Sequence, residues 1–218
     1  MAKAPRAGSV KTRLAGSLSI EEVTKLYRCF LEDTLLLAQE IAHAEVAIVC
    51  PESDAEDLSR AVKNAVPIVP QTGEGLAAGL TSVFAVFTDS AQRRVIAFNS
   101  DSPHLPARQL EIAFETLETR DVVVGPTHDG GYYLVGAKAS HPGLFSSAGM
   151  GTGTALDELL ARAGRLGLSV GLTDPFYDID IAADLRQLTE ELQRTPEKAP
   201  RTAKWLADWT SRCRDSSN

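Results

Sequence analysis

An α/β fold, with a mainly parallel sheet covered by helices on both faces, is predicted by three observations. Short apolar runs alternate with amphipathic stretches along most of the chain. The composition over 218 residues, 44% hydrophobic and 23% charged, is ordinary for a globular protein and sufficient to bury a core without staples. No internal repeat and no long Pro, Gly or Ser tract interrupts the alternation. Strands alternating with helices favour parallel sheets, and ligands then bind in the crevice beyond the strands' C-terminal ends. The pattern fits one domain over 1–218, with a basic loop at 1–14 and a last helix at 200–213.

Taken in order, the first twenty residues hold Lys3, Arg6, Lys11 and Arg13 and no acid. Ser19 and Glu22 form a capping box, and Val23, Leu26, Tyr27, Phe30, Thr34, Leu37, Ala38 and Ile41 follow at helical spacing, which predicts a helix of about twenty residues. Val46 to Cys50 reads as a strand, the acidic stretch Ser53 to Lys63 as a helix, and Pro67 to Val69, closed by Pro70, as a second strand. A helix from Gly75 to Phe87, a strand from Val95 to Phe98, a helix from Ala107 to Glu118 and a strand from Val122 to Val124 continue the pattern. Tyr132 to Val135 is a further strand, Thr154 to Ala163 a helix, Leu168 to Val170 a strand and Ile181 to Gln193 a helix. Thr202 to Cys213 ends the chain as a helix carrying Trp205 and Trp209, which either form a dimer contact or pack back on the sheet.

Charge and cysteine usage narrow the function classes. Twenty-two basic residues against 29 acidic ones give a net charge of −7 and a pI near 5.2, the wrong sign for tracking a nucleic-acid backbone. With the basic loop set aside, the rest of the chain carries −11. No apolar run reaches the ~18 residues of a membrane helix. Met1 is followed by basic residues rather than an apolar secretory core, and Cys29, Cys50 and Cys213 have no disulfide or zinc spacing, so a reducing cytoplasm is expected.

Four segments carry candidate chemistry. Lys3 to Leu14 places four cations around Gly8 just before a helix, and it either wraps a di- or triphosphate or is a solvated basic tail. It is not a P-loop, because Gly8 lies three positions before Lys11 and no second glycine precedes it. Asp101, in Asn99 to Pro106, follows the strand ending at Phe98, where a divalent cation is met, and an Asx turn is the competing use. The stretch from Gly125 to Tyr133 contains Asp129-Gly130, a strong hairpin signal, together with His128, Gly131 and Tyr132, groups suited to an acceptor, and with Asp129 as a base. Asp178, Asp180 and Asp184 gather before a helix, either for its dipole or to complete a two-carboxylate site with Asp101. Gly149 to Thr154 is a flexible rim or a plain loop.

These four segments, in this order, resemble a family of glycosyltransferase-A-like proteins of the arsenosugar- and selenium-associated transferase type. That family is similar to molybdenum-cofactor and phospholactate nucleotidyltransferases. The motifs are Lys3-Ala4-Pro5 with Val10-Lys11-Thr12-Arg13-Leu14, Ser100-Asp101-Ser102-Pro103, Asp129-Gly130-Gly131-Tyr132-Tyr133, and Asp178-Ile179-Asp180. The resemblance spans residues 2–190 and implies a Rossmann-like three-layer αβα sandwich of the nucleotide-diphospho-sugar transferase kind. It implies Lys3, Arg6, Gly8, Lys11 and Arg13 on the nucleotide phosphates, Asp101 and Asp180 on Mg2+ or Mn2+, and His128, Gly130, Gly131 and Tyr132 on the acceptor. Asp129 and Lys11 would be the catalytic pair.

Such a protein takes a nucleotide sugar or a nucleoside triphosphate and a small-molecule acceptor, with no nucleic acid and no membrane. Three departures stand out. The apolar first strand that precedes Lys-Ala-Pro in the family is absent before Met1, so a missing central strand is expected. Gly73 to Gly79 replaces a charged segment, and Met150 stands where the family has tryptophan. The leading expectation is metal-dependent glycosyl transfer. The alternatives are nucleotidyl transfer with pyrophosphate release and nucleotide or metabolite binding without turnover.

Overall fold

A computed structural model describes residues 1–63, 65–88 and 93–215. The capping box forms as predicted: Ser19 Oγ accepts from Glu22 N–H, the Glu22 carboxylate accepts from Ser19 N–H, and α1 runs Ile20–Glu40. Then follow β1 (Ile48–Cys50), α2 (Ala55–Ala61), β2 (Ile68–Pro70), α3 (Gly75–Phe87) and β3 (Val95–Phe98). The second half adds α4 (Ala107–Thr119), β4 (Val122–Pro126), β5 (Tyr132–Ala137), α5 (Ala155–Arg165), β6 (Val170–Leu172), α6 (Ala182–Arg194) and α7 (Pro200–Asp215).

The strands are apolar on both faces because both are covered. Along β4 and β5, Val122, Val124, Val135 and Ala137 pack with Leu80, Val83 and Phe84 of α3 and with Leu159 and Ala163 of α5. The alternate residues Val123 and Leu134 pack with Leu110, Ala113 and Leu117 of α4 and with Leu37 of α1. The period of two along a strand therefore sorts side chains between two helical layers, and the αβα sandwich of a Rossmann-like fold results.

In the larger sheet β3, β4 and β6 run in one direction and β5 runs against them. β1 pairs with β2 and β4 with β6 in parallel, whereas β5 runs antiparallel to both β3 and β4. The reversal is local in origin: Thr127 N–H donates to Gly131 O at 3.0 Å, so the chain turns back within one hairpin and β5 enters the sheet from the same end that β4 leaves. The sheet order is β3-β5-β4-β6, with β1-β2 as a separate pair. No described strand lies between β1 and β3. There the Met1 nitrogen donates to Phe98 O at 2.8 Å and Ala2 N–H to Val49 O at 3.1 Å, so two residues bridge the sheets in the place of the central strand that was expected to be missing.

Trp205 and Trp209 stack on each other, 6.2 Å between centroids, and pack with the α1, α6 and α7 cluster instead of the sheet. Among the described residues no helix is long and apolar enough to cross a membrane.

The turn after β3 buries His104 completely, with Phe176 and Tyr177 at centroid distances of 4.8 and 4.7 Å. Neither ring nitrogen has a hydrogen-bond partner, and Glu191 Oε2 stands 3.9 Å from Nε2. Burial depresses the imidazole from its ordinary 6.5 to about 4, against a weaker opposing pull from Glu191. The unfolded chain therefore binds the proton first, and stability falls as pH drops from 6.5 towards 4. The loss attributable to this one group approaches ~3 kcal/mol. Urea unfolding at pH 7 and pH 4.5 checks it: His104→Phe should shrink the difference between the two, and an unchanged difference would remove His104 as its source.

Candidate functional site

Beyond the C-terminal end of β3 lies a cleft of about 1090 Å³, walled by the basic N-terminal loop, the turn after β3 and the segment before α6. Lys3, Lys11, Arg13, Asp101, Asp180 and Tyr132 all line it. The structure thus brings together Lys11 and Asp180, 169 positions apart, with the Lys11 ammonium donating to Asp180 Oδ1 at 2.7 Å.

Each wall has a local cause. Ile179 is fully buried in the α1, α6 and α7 cluster, and its N–H donates to Asp101 O at 3.0 Å. That anchor leaves Asp178 and Asp180, on either side of it, lining the cleft. Asp178 is held by Asn99 Nδ2 at 2.9 Å and Ser102 Oγ at 2.8 Å, while burial pushes its carboxyl above the usual range. Asn99 also accepts from Asp101 N–H at 3.1 Å, tying the two aspartates to one amide. Asp184 has a capping role, accepting from the N–H groups of Asp180 and Ile181 at 2.9 and 2.8 Å. Asn99 and Ser102 support the site with no sequence signal beyond their neighbourhood to Asp101, and Tyr27 of α1, whose hydroxyl shares a hydrogen bond with Ser100 Oγ at 2.9 Å, had only its helical spacing.

Lys11 is the electrostatic centre. Its side chain is 6% exposed, and Nζ lies 2.9 Å from Asp101 Oδ2 as well as 2.7 Å from Asp180. Burial alone would lower its pKa, but the two carboxylates outweigh that and raise it, so the ammonium stays charged. Arg13 stands at the exposed rim, 3.8 Å from Asp180 Oδ2.

Arg6 and Gly8 are not among the residues lining the cleft. Arg6 instead pairs with Asp54 at 2.5 Å and Asp57 at 2.6 Å and donates to Ser53 O, while Asp54 Oδ2 accepts from Ala4 N–H at 2.8 Å. The loop's first cations are thus divided: Arg6 clamps it to α2, and Lys3 lines the cleft. Arg6→Ala should accelerate amide exchange over residues 3–9 without weakening nucleotide affinity, and a weakened affinity would return Arg6 to the binding set.

The hairpin turn borders the cleft through Tyr132 alone among its predicted residues; His128, Asp129, Gly130 and Gly131 do not line it. His128 is exposed. Asp129 Oδ1 accepts from Thr127 Oγ1 at 2.5 Å and Gly131 N–H at 3.2 Å, and the Thr127 hydroxyl is the main reason its pKa is lowered. A carboxylate stabilised in its charged form is a poorer base. The Tyr132 hydroxyl, pushed up to about 12 by burial, donates to Met150 Sδ at 3.5 Å, which puts the rim methionine on the cleft's own aromatic ring. Tyr133 belongs to the core, 2% exposed and bonded to Thr173 and Asp174 O. Where the resemblance expects a charged segment, Gly73, Glu74 and Gly75 line the cleft, with Gln71 Nε2 donating to the carbonyls of Gly73 and Gly75.

Among the described residues, no group of three or more His, Cys, Asp and Glu is placed to hold a metal ion. Two carboxylates already converge on a cation, and Mg2+ is commonly bound by one or two carboxylates together with substrate phosphates and water. The donor set therefore fits a hard divalent ion delivered with a phosphorylated ligand.

In structure the chain is similar to a protein from Desulfovibrio desulfuricans G20 described as a "putative nucleotide-diphospho-sugar transferase", at 26% identity and a TM-score of 0.87, over 98% of this chain and 94% of that one. It also shares its fold with 4-diphosphocytidyl-2C-methyl-D-erythritol synthase from Anaerococcus prevotii, at 13% identity and a TM-score of 0.54, covering 77% and 86% of the two chains. A homologue of Rv0371c from Mycobacterium sp. strain JC1 follows at 18% and 0.51, over 76% and 84%. No curated protein matches. The family "Uncharacterized protein conserved in bacteria (DUF2064)" matches residues 34–152, a span that holds Asp101 and the Asp129 hairpin but neither Lys11 nor Asp180. With more than half of its length matched, the chain belongs to the DUF2064 family.

Proposed function

We propose that the chain is a metal-dependent transferase using a nucleotide-activated donor, and that it moves a glycosyl group to a small-molecule acceptor. The observation that carries this reading is the charge of the cleft. Three basic side chains, Lys3, Lys11 and Arg13, face five carboxylates, Glu52, Glu74, Asp101, Asp178 and Asp180. A polyphosphate entering alone meets surplus negative charge; one arriving with a divalent cation does not. The 26% identical protein from Desulfovibrio, matched over nearly all of both chains, supports the same donor class.

In this reading Asp101 and Asp180 hold Mg2+ or Mn2+, which neutralises charge developing on the departing diphosphate. Lys3 and Arg13 hold the phosphates from the loop side, and Lys11 donates to an oxygen of the leaving group in the low-dielectric floor of the cleft. Tyr132, on the cleft wall, faces the acceptor. No covalent nucleophile is required. A cytoplasmic setting is part of the proposal and fits cysteines that form no disulfide.

The convergence of three basic side chains also suits a triphosphate, which is the observation favouring nucleotidyl transfer. Calorimetric titration with nucleoside diphosphates, triphosphates and nucleotide sugars, each with and without Mn2+, tests the proposal. Metal-dependent binding of one of them is expected. Release of pyrophosphate on turnover would assign nucleotidyl transfer, and a folded chain that binds none of them ends the donor-site reading.

A further inference from the structure

The two carboxylates assigned to a metal face a cation that the chain itself supplies. Lys11 Nζ is within 2.9 Å of both Asp101 and Asp180, at the one point on which these two carboxylates converge. Two observations mark that placement as unusual. The side chain is only 6% exposed although Ser9, Thr12 and Arg13 around it are exposed. The backbone at Lys11 is left-handed, with φ 47° and ψ 39°, a conformation that residues with a Cβ avoid and that clusters at functional sites. Its side chain makes no cap for the short helical turn that follows, where only the Lys11 carbonyl takes part, accepting from Leu14 N–H at 2.9 Å.

An ammonium and a divalent ion cannot share this point. The oxygens that accept from Nζ are those a metal would need, and two cations at ligand distance repel. Removing the ammonium with nothing in its place is equally unfavourable, because Asp101 and Asp180 then face each other with Asp178 nearby. The site is thus satisfied by one cation at a time. A phosphorylated ligand changes the balance, since its oxygens offer the displaced ammonium new acceptors in the same cleft, as they offer Arg13 at the rim.

We propose that Lys11 is a resident counter-cation, exchanged for the divalent ion only when phosphate oxygens arrive to receive it. The site then rejects a free metal ion and accepts a metal–phosphate pair, so metal and donor enter together. This inference rests on the reading of the cleft as a metal and nucleotide site, and it assigns Lys11 a role in admitting the metal beyond contact with the leaving group.

Titration of the full chain with MnCl2 alone, with free Mn2+ followed by electron paramagnetic resonance, tests the exchange. Wild-type chain should bind weakly, and Lys11→Met should bind Mn2+ at least about tenfold more tightly, within the usual range of coupling between sites. Adding Asp101→Asn to Lys11→Met should abolish that gain. Lys11→Gln keeps hydrogen-bond donors for both carboxylates without the charge and should show the same gain if Lys11→Met does not fold. An Mn2+ affinity in the folded variants equal to or below that of wild type overturns the proposal. So does failure of both variants to fold, because the ammonium would then be a fixed pin. No nucleotide is present in this titration, so its failure is separable from that of the donor-site reading, which falls if wild type binds no nucleotide with or without metal.

Discussion

Asp101→Asn should lower Mn2+-dependent nucleotide affinity by roughly 100-fold, the scale on which changes around a metal site act. The same substitution should slightly raise affinity measured without metal. The opposite signs follow from one cause: the carboxylate binds the divalent ion but repels bare phosphate, in a cleft where five carboxylates already outnumber three basic side chains. The fold should survive, because Lys11 keeps Asp180 at 2.7 Å and the asparagine carbonyl can still accept from it. Calorimetry of the variant with and without Mn2+ reads both effects. Equal loss under both conditions would show a damaged pocket rather than a lost metal ligand. Turnover separates enzyme from binder, since a transferase loses its rate in step with the metal-dependent affinity and a sensor has no rate to lose.

Gly130→Ala carries the largest expected effect on stability. Gly130 has φ +84°, and a Cβ there would sit 2.1 Å from Gly153 O, a backbone atom with no side-chain freedom to yield. Gly130 O also accepts from Leu156 N–H at 3.0 Å in the first turn of α5. The hairpin turn is therefore clamped against the glycine-rich loop 149–154, and adding one methyl forces the two loops apart. A left-handed φ alone costs about 1–2 kcal/mol; with the backbone clash added, a loss of about 3 kcal/mol or more is expected, or roughly 6–12 °C in Tm for a chain of this size. Gly143→Ala is the matched control, with φ +87° and no atom within 4 Å of the added Cβ. It should pay only the backbone term. Equal melting shifts for the two variants would mean that the loop contact contributes nothing.

The glycines of that contact illustrate what a linear reading misses. Asp129-Gly130 was legible as a hairpin, because turn chemistry is set by residues next to each other. Its docking on Gly153 was not, since the 22 intervening residues include β5 and a loop, and only their fold brings the two backbones together. β5, which runs against β3, β4 and β6 in the mainly parallel sheet expected from strand and helix alternation, starts at the same place. The hairpin turn at Thr127–Gly131 inserts β5 between β3 and β4, so the strand's direction was set by five residues of turn against the trend of the whole chain.

Among the basic residues, composition treated Lys3, Arg6, Lys11 and Arg13 alike, and the structure gives them different partners. Arg6 is neutralised by Asp54 and Asp57 of the neighbouring helical segment, Lys11 by Asp101 and Asp180, and Arg13 stays at the rim. Likewise Asp178, Asp180 and Asp184 read as one acidic cluster. One is hydrogen-bonded to Asn99 and Ser102, one faces Lys11 and one caps α6.

By itself the sequence determined the order and kind of nearly every element, the capping of α1, the apolar faces that sandwich the sheet and the segments that border the cleft. These depend on periodicity, capping and turn preferences, which act over a few residues. Tertiary structure alone decided which acid meets which base, which glycine must remain a glycine and which strand runs backwards. Ion pairing and steric exclusion depend on distance in space, and here the decisive contacts join positions as far apart as Lys11 and Asp180.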